Sequence, residues 1–325
     1  MRHVVLPGLD PAQYPRHALH ADTATWVEKN CYIDLWIELL NALRLEPLAM
    51  LGFTIAIDFE GDQWTFYKPS HDELRELYGV DVQEMNVWRS LLEHAQEHLP
   101  AGKLISTEAD AFWLPDTSGT DYRSQHTKTT IVLNDLDLER QRLGYFHNAG
   151  YYALEGEDFI KTFRLDAVPD PTFMPLFAEL VRVDKVIRRE PHQLAELAIP
   201  LLRKYLTRAP RRNPIKIFAE RFAISLPQMQ ERGLPYYHAW AFATTRQLGS
   251  AFELAAHHVR WLESHSSLRI GSASDAFDRI SSSCKSYILK GARAVNSKRP
   301  LDAKEMFAEQ SEAWDQGLET LRSCL

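Results

Sequence analysis

The hydrophobic period of the chain changes once. Up to about residue 165 apolar residues recur both at strand and at helix spacing, and beyond about residue 170 they recur almost only at helix spacing. The later segments, 175–188, 192–207, 214–223, 236–264, 273–295 and 301–322, are separated by Pro191, Pro210, Pro214, Pro227 and Pro235, positions where a residue without a backbone N–H is tolerated. The stretch VPDPTFMP (168–175) lies at the change and reads as a junction. With 325 residues there is enough chain for two cores. The expected architecture is α+β: a first domain over 1–168, then an all-helical domain over 169–325.

Within the first domain, residues 31–45 set Ile33, Trp36, Ile37, Leu40 and Leu43 on one face, which predicts an amphipathic helix. FTIAIDF (53–59) and QWTFYK (63–68) flank Glu60-Gly61-Asp62 and predict a hairpin. A helix is expected over 87–99, with Trp88, Leu91, Leu92, Ala95 and Leu99 on its apolar face. Strands are expected at 103–109, 126–133, 142–148 and 151–156, and a short helix at EDFIKTF.

Composition excludes several classes. No apolar run reaches 18 residues, so no membrane span is expected. The start, MRHVVLPGLDPAQYPRH, lacks a signal-peptide core, and three scattered cysteines, Cys31, Cys284 and Cys324, make no disulfide framework. A cytoplasmic protein is expected. The net charge of −7 argues against a general nucleic-acid binder but hides an asymmetry. Residues 1–165 hold 14 basic and 26 acidic side chains, and residues 166–325 hold 23 and 18. The band 182–221 alone has 11 basic against 4 acidic.

Chemistry is best sought at Cys31. With Asn30 as N-cap it opens the helix, where free amides and the helix dipole favour a thiolate and bind an oxyanion. Two alternatives stay open. Thr25-Trp-Val-Glu28 also reads as a capping box, which would move Cys31 into the second turn, and a cysteine here can be a packing residue. A nucleophile needs a base and an orienting group. His126 opens the strand HTKTTIVL and Asn148 closes RLGYFHN; pairing of those strands makes them neighbours, so Asn148 would hold the imidazole. The order helix-Cys, strand-His, strand-Asn is that of papain-like enzymes.

The segment EADAFWLPDTSGTDYRSQHTKTTIVLNDLDLERQRLGYFHNAGYYALEGEDF resembles the second half of a papain-like domain. It is most similar to the amino-terminal domain of the butirosin-biosynthesis acyltransferase family, through Asp110, Phe112-Trp113-Leu114-Pro115, His126 and Asn148, with Asn30-Cys31-Tyr32 resembling that family's nucleophile segment. The likeness covers roughly 20–165 and extends, more distantly, to the bacteriocin-processing peptidase domains of ABC exporters. The whole chain is similar to an uncharacterised bacterial family of similar length. The resemblance implies a papain-like cysteine enzyme, a helix bearing Cys31 packed on an antiparallel sheet. It would take an acyl or aminoacyl group from the phosphopantetheine thioester of a carrier protein to a small amine acceptor. Two departures stand out: Asn148 replaces an acidic residue, and Thr25 and Trp26 occupy the region where the exporter peptidases carry a glutamine. The oxyanion donor is then the Cys31 amide with Asn30 or another group.

Asp110 is expected either to close a turn, to position the loop before His126, or to bind an amine. Tyr122 and Arg123, on that loop, and Asp34, one turn after Cys31, are substrate-binding candidates. Arg188, Arg189, Arg203, Lys204, Arg208, Arg211 and Arg212 read either as solvated helix faces or as a dock for an acidic carrier protein. No tightly bound cofactor or metal is expected, phosphopantetheine being supplied by the carrier. Neither nucleic acid nor a membrane is an expected partner, and a homodimer is left open. His94-Ala-Gln-Glu97-His98 matches a zinc signature without a third ligand, and His257-His258 cannot share a helix face. A cysteine peptidase or amidase, and a non-enzymatic protein keeping a papain-like shell, are the alternatives.

Overall fold

The computed structural model describes residues 2–325 except 169–171 and 173. They divide into two compact units, each drawn from several stretches of chain. The sheet unit comprises Met1–Ala21, Asn30–Pro47 and Ser70–Arg188; the helical unit comprises Asp22–Lys29, Leu48–Pro69 and Arg189–Leu325.

The sheet unit contains α1 (Cys31–Ala42), α2 (His71–Tyr78), α3 (Leu91–His98) and α4 (Gly156–Thr162) around a seven-stranded sheet. Its strands are β1 (Arg2–Val4), β2 (Asp81–Glu84), β3 (Lys103–Asp110), β4 (Lys128–Asp137), β5 (Arg142–His147), β6 (Gly150–Glu155) and β7 (Ala178–Arg182), ordered β2-β7-β3-β4-β5-β6, with β1 beside the far end of β4. All the pairings are antiparallel. Packed against α1, β4 and β5 form the central floor. A core of Leu92, Ala95, Leu99, Ile131, Leu133, Leu143, Tyr145 and Phe159 joins the sheet to α3 and α4. Burial of such residues, at about 25 cal/mol per Å² of apolar surface, is the main force holding the layers together.

Strands β3 to β6 lie where alternation predicts them. The helix predicted over 175–188 is instead β7, whose backbone is paired on both sides, by β2 and by β3. β7 has five residues, AELVR, too few to set a period of its own, so long-range pairing decides it. The predicted junction at 168–175 lies largely outside the described residues, and the sheet unit runs on to Arg188. The helix predicted over 87–99 is α3, which starts at Leu91 because Ser90 and Glu93 form a capping box, and Trp88, predicted on its apolar face, is 77% exposed.

The helical unit consists of α5 (Pro191–Arg208), α6 (Pro214–Arg232), α7 (Leu234–Ala241), α8 (Gln247–His265), α9 (Gly271–Ser297) and α10 (Lys304–Cys324), with a π-helical turn, Phe242–Arg246, between α7 and α8. Its centre is aromatic: Phe218 meets Trp240 at 5.7 Å and Phe307 at 5.5 Å, and Phe222 meets Tyr287 at 5.0 Å. The predicted hairpin over 53–68 is mostly absent. Pro47–Ala56 is 3₁₀-helical, and pairing is reduced to one bridge, Phe59 to Trp64, around Gly61 at φ 91°. Both ring systems pack on Phe218, at 5.1 and 5.7 Å, so burial outweighs strand propensity there. No helix among the described residues is long and apolar enough to cross a membrane.

Candidate active site

Asn30 decides where α1 begins. Its backbone is extended, at φ −143° and ψ 155°, and its side-chain oxygen accepts from the amides of Tyr32 (3.1 Å) and Ile33 (2.9 Å). Cys31 is therefore the first helical residue and the Thr25 capping box is not used; the Thr25 amide donates to Glu253 instead, at 2.7 Å. Through this cap the Asn30 side-chain oxygen takes up the Tyr32 and Ile33 amides, two donors of the first turn.

The Cys31 thiol is half-buried and faces the start of β4. Burial pushes it above the ordinary thiol range. The Thr129 hydroxyl and the Thr130 backbone act in the opposite sense, Asp34 adds to the rise and Lys128 reduces it. Desolvation thus outweighs the dipole argument, and the resting group is a thiol.

Near the start of β4, Thr129 holds a histidine that spacing alone does not single out. The Thr129 hydroxyl lies 2.7 Å from Nε2 of His147, and Nδ1 of His147 lies 2.5 Å from Oδ2 of Asp116. The other Asp116 oxygen accepts from the Tyr145 hydroxyl. His147 and Asp116 are buried, with side chains 1% and 3% exposed. A carboxylate on Nδ1 makes that nitrogen the proton-bearing one and leaves Nε2 as acceptor.

His126 is set differently. It precedes β4, its side chain is 69% exposed, its ring stacks on Phe112 at 4.3 Å, and its Nδ1 is held by Asp110 at 2.6 Å. Among the described residues no hydrogen bond joins it to Cys31 or to Asn148. Asn148 occupies the turn between β5 and β6 at φ 42°, a left-handed position that asparagine tolerates. The expectation that Asn148 orients His126 is corrected: Asp110 does so, because its strand pairs with β4 and sets Asp110 opposite Lys128. Asp110 also closes the turn after β3 by accepting from the Phe112 amide at 3.1 Å.

Other expected contacts resolve into framework. Asp34 is fully buried, with Oδ1 3.0 Å from His20 Nε2, and His20 Nδ1 meets Glu38, so Asp34 is enclosed by the framework. Tyr122 donates to Asp158 at 2.9 Å, and Arg123 bridges Glu157 and Asp158 beneath Trp113, at 4.5 Å from that ring. Both residues fasten the loop before His126 to α4. The basic band divides: Arg188 belongs to the sheet unit, where it donates to the Leu43 carbonyl at 3.2 Å, and Arg189 onward to the helical unit. Arg203, Lys204, Arg208, Arg211 and Arg212 lie exposed along the last turns of α5 and just beyond it. Lys204 and Arg208 flank the Tyr205 ring at 5.5 and 5.6 Å, and Arg203 donates to the Leu325 carbonyl at 2.8 Å. His94 and His98 stack on each other at 6.1 Å, and among the described residues no group of three His, Cys, Asp or Glu could hold a metal.

The fold and site define an α+β chain: a sheet unit with Cys31 at a helix start and two aspartate-held histidines, His126 and His147, and a helical unit. Two family models span it, the DUF1839 N-terminal domain over residues 15–183 and the DUF1839 C-terminal domain over 191–323. The chain belongs to the DUF1839 family. Those spans meet between 183 and 191, where the sheet unit also ends. No curated protein matches the chain.

Proposed function

We propose that the sheet unit is a papain-like cysteine enzyme that transfers an acyl or aminoacyl group from a carrier-protein phosphopantetheine thioester to a small amine. The observation that carries this reading is the setting of Cys31: the first residue of a helix packed on an antiparallel sheet, with its sulfur half-buried, in a unit that also holds two imidazoles on aspartates, His126 on Asp110 and His147 on Asp116. A thiol held above its usual range is protected until a base takes its proton, which suits an enzyme that must await a large thioester donor.

In the first step the Cys31 sulfur bonds to the thioester carbonyl carbon, the bond from that carbon to the phosphopantetheine sulfur breaks, and the leaving thiol takes a proton. In the second, the acceptor amine attacks the Cys31 acyl thioester, an amide forms, and the cysteine regains its proton. The exposed cations at the end of α5 support a carrier as donor, since carrier proteins are acidic and bear a phosphate on the arm.

The test is incubation with an acyl-loaded carrier protein followed by intact mass measurement. An adduct of the acyl mass on the wild-type chain, absent from Cys31→Ala, is expected. An adduct that persists in Cys31→Ala overturns the reading. Release of the free acid at the same rate with or without an amine assigns the site to a cysteine hydrolase instead.

A further inference from the structure

A cavity of about 300 Å³ lies in the sheet unit between the start of α3 and the end of α4. Leu91, Leu92, Phe163 and Leu165 line it, and so do Arg89 and Thr162. Leu92 belongs to the core that holds Ile131, Leu133 and Tyr145, and Leu91 and Phe163 pack against that core, which contains no residue of α1. The cavity is therefore separate from the helix that carries Cys31. Leu165 is 51% exposed, so the cavity opens to solvent.

Two polar side chains of that lining lack hydrogen bonds. Arg89 Nε and Thr162 Oγ1 are buried, and among the described residues neither has a hydrogen-bond partner. The remainder of the Arg89 head is engaged only loosely: Nη2 lies 4.0 Å from Glu97, and the guanidinium stands 5.1 Å from the centre of the Trp88 ring. Buried donors and hydroxyls are almost always bonded, because an unpaired one forfeits its hydration without compensation. Exposed Trp88 and Val168, on the segments that line the cavity, extend its apolar surface outward.

We propose that this cavity binds a small aliphatic monocarboxylate, its head on Arg89 and Thr162 and its chain against Leu91, Leu92, Phe163 and Leu165. A guanidinium only donates and a hydroxyl can donate, so the head that serves both is an acceptor, and an oxyanion accepts best. One guanidinium brings one positive charge, part of it already shared with Glu97, which suits a monoanion and disfavours a phosphate dianion. The volume sits at the lower limit of ligand pockets, roughly 300–1,000 Å³, and so takes a short chain rather than a nucleotide or a long acyl tail. Water alone would serve the two polar groups but would leave the apolar wall wet, and an aliphatic chain removes that wall from water. The inference does not depend on Cys31 being a nucleophile.

The experiment is calorimetric titration of the full chain at pH 7 with sodium octanoate, with 1-octanol as the uncharged analogue and inorganic phosphate as a competitor. Saturable binding of one octanoate per chain is expected, with octanol at least about tenfold weaker and phosphate unable to displace it. Arg89→Gln should weaken octanoate binding at least about tenfold and Thr162→Val about fivefold, while Thr162→Ser keeps the hydroxyl and should bind as the wild type does. Arg140→Gln, which removes an exposed cation on the β4–β5 hairpin, should also match the wild type. Absence of saturable binding overturns the proposal, since water alone then serves Arg89 and Thr162. So does octanoate binding that Arg89→Gln leaves unchanged, octanol binding as tight as octanoate binding, or displacement by phosphate. Cys31→Ala should bind octanoate normally, so failure of acyl transfer and failure of this site are read separately.

Discussion

The two units fill their interiors with different chemistry. Inside the sheet unit polar groups run in chains: Thr129, His147 and Asp116; His20 between Asp34 and Glu38; Tyr32 and Ser106 on Glu179; Arg2 and Arg142 on Asp135. The helical unit is centred on rings, Phe218, Phe222, Trp240, Tyr287 and Phe307, with Lys29 and Glu253 as a buried pair 3.8 Å apart. A buried polar chain costs stability unless every member is satisfied, whereas aromatic burial is favourable outright. A fold that keeps several such chains in one unit has a use for polar groups there, and that is where Cys31 sits.

That contrast can be broken by substitution. The largest effect is expected from Cys31→Ala, which should lower acyl transfer at least about 10⁴-fold while leaving the thermal transition nearly unmoved. Phe218→Ala should do the reverse to the helical unit, with a stability loss of about 3–5 kcal/mol in denaturant titration, because four rings lose a shared neighbour.

Acid should separate the units as well. Burial lowers His258 to about 4, its Nδ1 donating to the Leu48 carbonyl at 2.7 Å. A histidine depressed in the folded state holds fewer protons there than in the unfolded chain. Its contribution is therefore complete above the ordinary value of 6.5 and is lost as pH falls toward 4, about 3 kcal/mol in all. Stability measured against pH should show this fall in the wild type and lack it in His258→Gln.

In the sheet unit the comparable group is Asp135. Burial opposes its ionisation, yet the bonds and charges of Arg2 and Arg142 win and hold it below the usual carboxylate range. Its contribution is present above the ordinary carboxylate value and is lost only as pH falls through the lowered one. Asp135→Asn should cost about 1.5–3 kcal/mol at pH 7, with the gap to wild type closing in strong acid. The smallest effect is expected at the surface. Arg208→Glu with Arg212→Glu should weaken binding of a carrier protein by up to about tenfold at low salt and leave it unchanged at high salt.

How far the site was legible in the sequence follows from what each residue depends on. Asn30 accepts from the amides of Tyr32 and Ile33, a local interaction, but Thr25-Trp-Val-Glu28 offers an earlier start, and the choice between the two caps was made only where the fold gave the Thr25 amide to Glu253. His147 is adjacent in sequence to Asn148, but β5 turns His147 inward and leaves Asn148 to the turn. Which one matters depends on Thr129 and Asp116, eighteen and thirty-one residues away in the chain. The signal that would have pointed to His147 was its place as the last inward position of a strand paired with the His126 strand. In the same way, the position of Asp34 on a helix does not reveal that His20 covers it.

The sequence by itself determined the strands β3 to β6 and most of the late helices, because each depends on periodicity. Only the tertiary structure decided that residues 178–182 are a strand, that the 53–68 segment serves an aromatic core, and that Asp110 rather than Asn148 holds His126. These outcomes depend on partners distant in sequence, whose burial and hydrogen bonding outweigh local preference. The chain from Thr129 through His147 to Asp116 belongs with them: each residue type was visible, and the fold alone placed them in series.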